Sequence, residues 1–278
     1  MSKTTKPARK GEARAMAALL NAGEANAARR QRVVAIALAA IGVLVLGLVV
    51  AFIVSNRPAP APDLTSVEDP LGSVHAPSTA NDAGGIQVGV DGTAGGAVTS
   101  AETVVVAVYF DYMCPVCGAF EAINGPVLAK LRERGEIVIE YRPVSILDRT
   151  SQGTRYSTRA AAAAALVADR MPEAFVDFNN LLYANQPEEG TSGLTDEQLA
   201  SLATQAGVPA EVASAIVEGQ HMTGDDSFAG WVAAATEQAT RDFAPQFGTP
   251  TILINGEKTE FDWSIDGAIE AAIEAARS

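Results

Sequence analysis

Sulfur and imidazole are scarce in this chain: its 278 residues hold two cysteines and two histidines. An exported domain held together by disulfides would normally carry more cysteine, and a structural zinc site usually takes four protein ligands, which here would require all four residues. The histidines stand far from the cysteines in sequence, His75 in a stretch poor in apolar residues and His221 in a helical block, so no metal ion and no cofactor are expected. Copper held by Met113 and the two sulfurs is a chemically open alternative, although Met113 reads more simply as a packing residue. Basic charge is short as well, with a net charge of -13, and it is unevenly placed. Residues 1–32 carry eight basic and two acidic side chains, a balance of +6, which leaves -19 for residues 33–278.

Long uncharged runs are also missing, with one exception. Val33 to Val54 holds 22 residues without a charged or strongly polar side chain. At about 1.5 Å per residue it can cross a hydrocarbon core of about 30 Å, and it is too long for the apolar part of a cleaved leader, usually about 7 to 15 residues. Arg29, Arg30 and Arg32 stand before it and only Arg57 close behind, so the basic tail 1–32 is expected inside the cell and everything after residue 55 outside it. Binding of acidic lipid or nucleic acid by that tail is set aside for a solvated tail that fixes topology, and no nucleic-acid partner is expected. Residues 55–85, opening on Pro58-Ala59-Pro60-Ala61-Pro62, show no period of 2 or 3.6 and read as a stalk that lifts an acidic domain, residues 86–278, off the membrane.

Within that domain, Ile86–Val90 and Glu102–Phe110 read as strands, the second apolar throughout as if covered on both faces. A helix is expected from Pro115 to Arg134, bent at Gly125-Pro126, then a strand at Ile137–Tyr141, which makes a βαβ unit. Residues 148–243 read as helical, with Asp148 and Ser151 as candidate N-caps and helix starts at Thr195 and Pro209. Thr249–Ile254 and Lys258–Phe261 follow as a hairpin around Asn255-Gly256, and Ser264–Ala276 as a closing helix. Trp231 and Trp263 are expected as core or lid aromatics.

The two cysteines stand together, in Phe110-Asp111-Tyr112-Met113-Cys114-Pro115-Val116-Cys117, at the end of a strand and the start of a helix. Unfilled amide donors and the dipole at a helix N-terminus favour a thiolate at Cys114, which suits it as an accessible nucleophile and leaving group. Cys117, nearly one turn on, lies deeper and can attack a mixed disulfide. Pro115 fits the first helical turn, and Val116 adds a small apolar surface. A purely structural disulfide across two residues would close almost no loop and stabilise little. Asp111 and Glu121 are candidates to accept a proton from Cys117 or to tune Cys114, with the reservation that a nearby carboxylate also raises a thiol pKa. Thr249-Pro250 opens an apolar strand; if that peptide bond is cis, the Thr249 backbone is free to pair with an extended segment.

Taken together, the Cys-x-x-Cys segment, a helical insertion and Gly248-Thr249-Pro250-Thr251 resemble the DsbA-like thiol-disulfide oxidoreductases of the thioredoxin superfamily, over roughly residues 86–276. The resemblance implies an α/β thioredoxin-like fold with an inserted helical subdomain behind one transmembrane helix, similar to membrane-tethered forms in actinobacterial envelopes. It also implies exchange roles for Cys114 and Cys117, and contact with the active sulfur and the substrate backbone at Thr249 and Pro250. Exported cysteine-containing proteins are the implied substrates, and a quinone-linked membrane thiol oxidase the implied reoxidant. Where the family often has a histidine between its cysteines, this chain has Val116, so a less oxidising enzyme is expected: losing about 1.4 kcal/mol from the thiolate lowers a two-electron potential by about 30 mV. A reductase or isomerase of the same fold, and a redox-inert binding module or metallochaperone, remain alternatives.

Overall fold

The computed structural model describes residues 16, 29–51, 62–97 and 103–277, which belong to two units, 1–57 and 58–278. Most of the basic tail, the end of the apolar stretch at 52–54, the Pro-Ala run to residue 61 and the start of the second expected strand lie outside the described residues. In the first unit, α1 (Arg29–Ala51) is a 23-residue helix whose apolar side chains are all exposed. At about 1.5 Å per residue it is about 35 Å long, sufficient to span a bilayer core.

The second unit is built on a five-stranded sheet ordered β1-β3-β2-β4-β5. Its strands are β1 (Ile86–Val88), β2 (Val104–Phe110), β3 (Ile137–Pro143), β4 (Thr251–Ile254) and β5 (Glu257–Lys258). β2 and β3 are parallel and joined by α2 (Pro115–Glu133), while the other neighbours are antiparallel. The apolar run of β2 is buried except at Val105, as a central strand covered on both faces requires. Between β3 and β4 come α3 (Tyr156–Arg170), α4 (Phe175–Ala184), α5 (Asp196–Gln205), α6 (Ala210–Val217) and α7 (Ala229–Asp242), and α8 (Ala268–Ala275) closes the chain. Ala160 to Ala165 on α3 are fully buried. Six methyl side chains in a row let neighbouring helices approach α3 from several sides, which explains a buried helix without large apolar residues.

Several boundaries differ from those read in the sequence. β1 stops at Val88 because a turn follows, with Gly92 N-H donating to Gly89 O at 3.0 Å. α2 runs through Pro126, which lies on its exposed face. β3 extends to Pro143, paired with Phe110. β5 is only two residues long, and α8 begins four residues later than expected because Asp262 accepts from Ser264 N-H at 3.0 Å and holds a turn there. Asp148 and Ser151 cap α3 without being its N-cap. Arg155 occupies that position, while Asp148 Oδ1 accepts from Thr158 N-H at 2.9 Å and Ser151 Oγ from Tyr156 N-H at 3.1 Å. Thr195 and Gln198 form a reciprocal capping box on α5.

The largest departure concerns the expected stalk. Arg241 on α7 donates to the carbonyls of Val67 at 2.7 Å, Leu64 at 2.8 Å and Thr65 at 3.1 Å. His75 stacks on Phe228 with centroids 5.2 Å apart, Ser78 N-H donates to Asp169 at 2.8 Å, and Ala80 bridges to Ile86. Residues 64–80 are thus a strap on the domain. Backbone carbonyls and single side chains make these contacts, so the segment has no apolar period for a sequence reading to find.

Candidate active site

β2 ends at Phe110, and the chain must then turn to enter α2. Asp111 makes the turn. Its side chain is fully buried, with Oδ1 accepting from Met113 N-H at 2.8 Å and Oδ2 from Leu147 N-H at 2.9 Å, while Cys114 N-H donates to Asp111 O at 2.9 Å. Met113 is packed out of contact with solvent, its sulfur accepting from the Thr150 hydroxyl at 3.4 Å. Cys114 is the N-cap of α2 with extended backbone, Pro115 occupies the first turn, and Cys117 N-H and Gly118 N-H donate to Cys114 O at 3.0 and 3.2 Å. The cap position therefore leaves the first amides of α2 directed at the sulfur side of Cys114.

The two thiols, both free, are electrostatically unlike. Cys114 is lowered to about 6, first by the Cys117 thiol donating to it, against the cost of its own burial, then by the Thr249 hydroxyl and the amides of Cys117 and Val116. Cys117 is pushed far above the ordinary thiol range by burial and by the neighbouring Cys114 anion. The pair therefore loses its first proton from Cys114, and Cys117 keeps its own. Cys114 retains 6% of its surface and Cys117 2%, so the nucleophile is less open than the sequence suggests. The loop before β4 covers it: Cys114 Sγ donates to the Thr249 carbonyl at 3.4 Å. Val116, 49% exposed, forms the open edge.

Pairing of Tyr109 with Thr251 places the end of β2 and the start of β4 side by side, which brings residue 249 to residue 114 across 135 positions of sequence. The Thr249-Pro250 bond is cis. Glu121 lies one turn beyond Cys117 on α2 and is only partly exposed; burial alone raises its carboxyl to about 7. A cavity of about 410 Å³ between α2, α4 and the sheet is lined by Cys117, Glu121, Phe120, Asn179 and Tyr183 among others. Gly125 makes room for the acid within it, since a Cβ there would stand 2.8 Å from Glu121 Oε1. Asp111, also raised to about 6 by burial, has both oxygens engaged by main-chain donors, and its carboxylate serves the turn.

One further side chain reaches the Cys-x-x-Cys turn without any sequence signal. Gln186, just past α4, donates through Nε2 to the carbonyls of Tyr112 at 3.0 Å and Cys114 at 2.9 Å. It stands between Asn185 and Pro187 in a stretch that reads only as the end of a helix. Trp231 is in the core, and Trp263 packs edge-on against Phe120. His221 lies buried 3.8 Å from Asp196, and His75 lies on the strap, so neither histidine joins the cysteines.

A thioredoxin family model matches residues 97–275. No curated protein matches the chain. Among solved structures, reduced DsbA from Mycobacterium tuberculosis is 32% identical, covering 69% of this chain and 92% of its own, with a TM-score of 0.54. The reduced disulfide bond oxidoreductase DsbG from the same organism is 31% identical, over 75% of this chain and 92% of its own, with a TM-score of 0.54. MdbA from Actinomyces oris, a thiol-disulfide oxidoreductase, shares the fold at 20% identity over 78% of this chain and 100% of its own, with a TM-score of 0.58. With a thioredoxin model matched over most of the chain and an actinobacterial DsbA above 30% identity, this protein belongs to the DsbA-like thiol-disulfide oxidoreductases of the thioredoxin superfamily.

Proposed function

We propose that the protein is an oxidase that passes a Cys114-Cys117 disulfide to exported proteins, with Cys114 the exchanging sulfur and Cys117 the resolving one. A substrate thiolate attacks Cys114, the bond to Cys117 breaks, and Cys117 leaves as a thiolate and takes a proton. A second substrate thiolate then attacks the substrate sulfur of the mixed disulfide, and Cys114 leaves as a thiolate. Two electrons move from the substrate dithiol to the cysteine pair. Reoxidation returns them to a membrane partner, for which a quinone-linked thiol oxidase fits the chemistry.

The observation that carries this direction is the place of the Cys114 sulfur, at the N-cap of α2, where the Cys117 thiol and the first amides of the helix favour the anion and lower its pKa to about 6. At pH 7 it makes about nine-tenths of the sulfur anionic, against about 3% for a free thiol near 8.5, a gain of about thirtyfold. Intrinsic nucleophilicity falls with pKa at a Brønsted slope of about 0.45, which costs roughly tenfold over the same interval. As an attacking group Cys114 therefore gains little, because the two effects oppose each other. As a leaving group it gains without opposition, and leaving is what the donation of a disulfide requires. Stabilising the thiolate also stabilises the reduced pair, which makes the disulfide more oxidising.

Thr249 and Pro250 are proposed to hold the substrate. The Thr249 hydroxyl favours the thiolate, and the Thr249 carbonyl lies 3.4 Å from Cys114 Sγ, so an extended peptide pairing with this main chain would run beside the sulfur. Glu121 is proposed to exchange the proton of Cys117 through the cavity, which has room for water at about 30 Å³ a molecule. Pro115 and Val116 shape the approach. The N-terminal helix is proposed as a single membrane anchor spanning about residues 33–54, with the basic tail 1–32 inside and the domain outside, where disulfides persist.

Equilibration with glutathione tests the direction. A reduction potential between about -200 and -120 mV is expected, at the lower end because Val116 supplies no donor to the thiolate. A value near that of thioredoxin, about -270 mV, would replace the oxidase by a reductase.

A further inference from the structure

Gln186 and Gly118 form a contact that the exchange chemistry above does not use. The Gln186 backbone is fixed in the turn after α4, its N-H donating to Tyr183 O at 3.1 Å. Its side chain crosses to the reactive turn and bonds the carbonyls on either side of Met113, those of Tyr112 and Cys114. The amide lies against Gly118, where a Cβ would stand 2.2 Å from Gln186 Oε1. Gly118 is helical and has no positive φ, so its backbone does not call for glycine. A glycine inside a helix is unfavourable relative to alanine, and the space it leaves here is filled by the glutamine.

We propose that Gln186 is a positioning residue for disulfide exchange: seated on Gly118, its amide pins the Tyr112 and Cys114 carbonyls, ties the helical insertion to the reactive turn and sets how firmly Cys114 holds its anion. Two effects act in one direction. A carbonyl oxygen that receives a hydrogen bond presents less negative potential to the adjacent sulfur, and a fixed Cys114 carbonyl keeps the first turn of α2 wound so that its amides stay aimed at Sγ. Val116 has no polar group to offer, so this polar constraint on the turn comes from across the site, from the turn after α4. The inference rests on Cys114 being the exchanging thiol.

The test uses the full-length chain in detergent micelles, in which Cys114 and Cys117 are the only thiols. The pH dependence of thiolate absorbance and the equilibrium with glutathione are measured for wild type, Gln186→Met, Gln186→Glu, Gly118→Ala and the double variant Gly118→Ala/Gln186→Met. Methionine keeps the bulk and removes the donors, so the fold should be retained with an unfolding midpoint lowered only by the loss of two hydrogen bonds. Gln186→Met is expected to raise the Cys114 pKa by about one unit and to shift the glutathione equilibrium about tenfold, which lowers the potential by about 30 mV. Gln186→Glu should shift both further in the same direction, by setting an anion and two acceptors against the carbonyls. Gly118→Ala should reproduce Gln186→Met by expelling the amide, and the double variant should go no further than Gln186→Met alone. Wild-type values in Gln186→Met, or effects that sum in the double variant, would overturn the proposal. A wild-type chain inert to glutathione would instead sink the exchange assignment, and this inference with it.

Discussion

Cys117→Ala, expressed with its natural exported partners, is expected to accumulate covalent adducts through Cys114, while Cys114→Ser forms none and exchanges disulfides no faster than buffer. The reason is the division of labour between the two sulfurs. Cys114 keeps more of its surface than Cys117, 6% against 2%, and has a pKa near 6, so it forms the bond to an outside sulfur. Cys117 sits deeper and keeps its proton until Cys114 is engaged, so its role is release. Removing it leaves the first bond intact and the second step without its internal thiol. Because the chain has no other cysteine, an adduct in Cys117→Ala has one possible site of attachment. Non-reducing gels followed by mass spectrometry read the outcome. Adducts in Cys114→Ser instead, or in neither variant, would reverse or remove the assignment and would favour a redox-inert docking role.

Glu121→Gln has the second large effect. Cys117 must give up its proton to resolve a mixed disulfide and regain one when it leaves, and the acid four residues along the same helix shares its cavity. A positioned base typically contributes about 10²–10⁴-fold to proton transfer, so release of a trapped glutathione adduct at pH 8 should slow by about a hundredfold in Glu121→Gln. In wild type the release rate should rise with pH through about 7 as Glu121 ionises, and the variant should lack that rise. Stability moves the opposite way. The carboxyl titrates near 7 in the folded protein against an ordinary 4.5, so its stabilising protonated form is fully present below about 4.5 and is lost as pH rises through 7. Gln, neutral throughout, should make the protein more stable than wild type at pH 8, with the difference closing as pH falls toward 4.5. Stopped-flow release and denaturant unfolding measure the two halves. An unchanged pH profile of release would remove Glu121 from the mechanism.

The features legible in the sequence are those encoded by neighbours. A strand ending at Phe110 and a helix starting at Pro115 place Cys114 at a cap, and spacing alone sets Cys117 one turn deeper. The Asn255-Gly256 turn was equally plain, with both residues at positive φ, 52° and 83°. What escaped was non-local. Gln186 reaches the carbonyls of Tyr112 and Cys114 from 74 and 72 residues away, a contact that leaves no pattern in composition or period. The strap at 64–80 is held by main-chain oxygens on Arg241 and by scattered apolar side chains such as Leu71 and Val74 on the core, so its residue types look like a linker. By residue type Asp111 is a candidate to accept a proton from Cys117 or to tune Cys114; that two amides, of Met113 and Leu147, occupy its oxygens is visible only in the fold.

Exchange at this site requires above all that Cys114 hold a thiolate near neutrality while Cys117 does not. Alkylation of the reduced protein by iodoacetamide between pH 4 and 10, with each modified cysteine identified by mass spectrometry, measures this directly. The expected result is modification of Cys114 with a midpoint near pH 6 and no modification of Cys117 over the same range. A midpoint at the free-thiol value of about 8.5, or parallel modification of both cysteines, would contradict it.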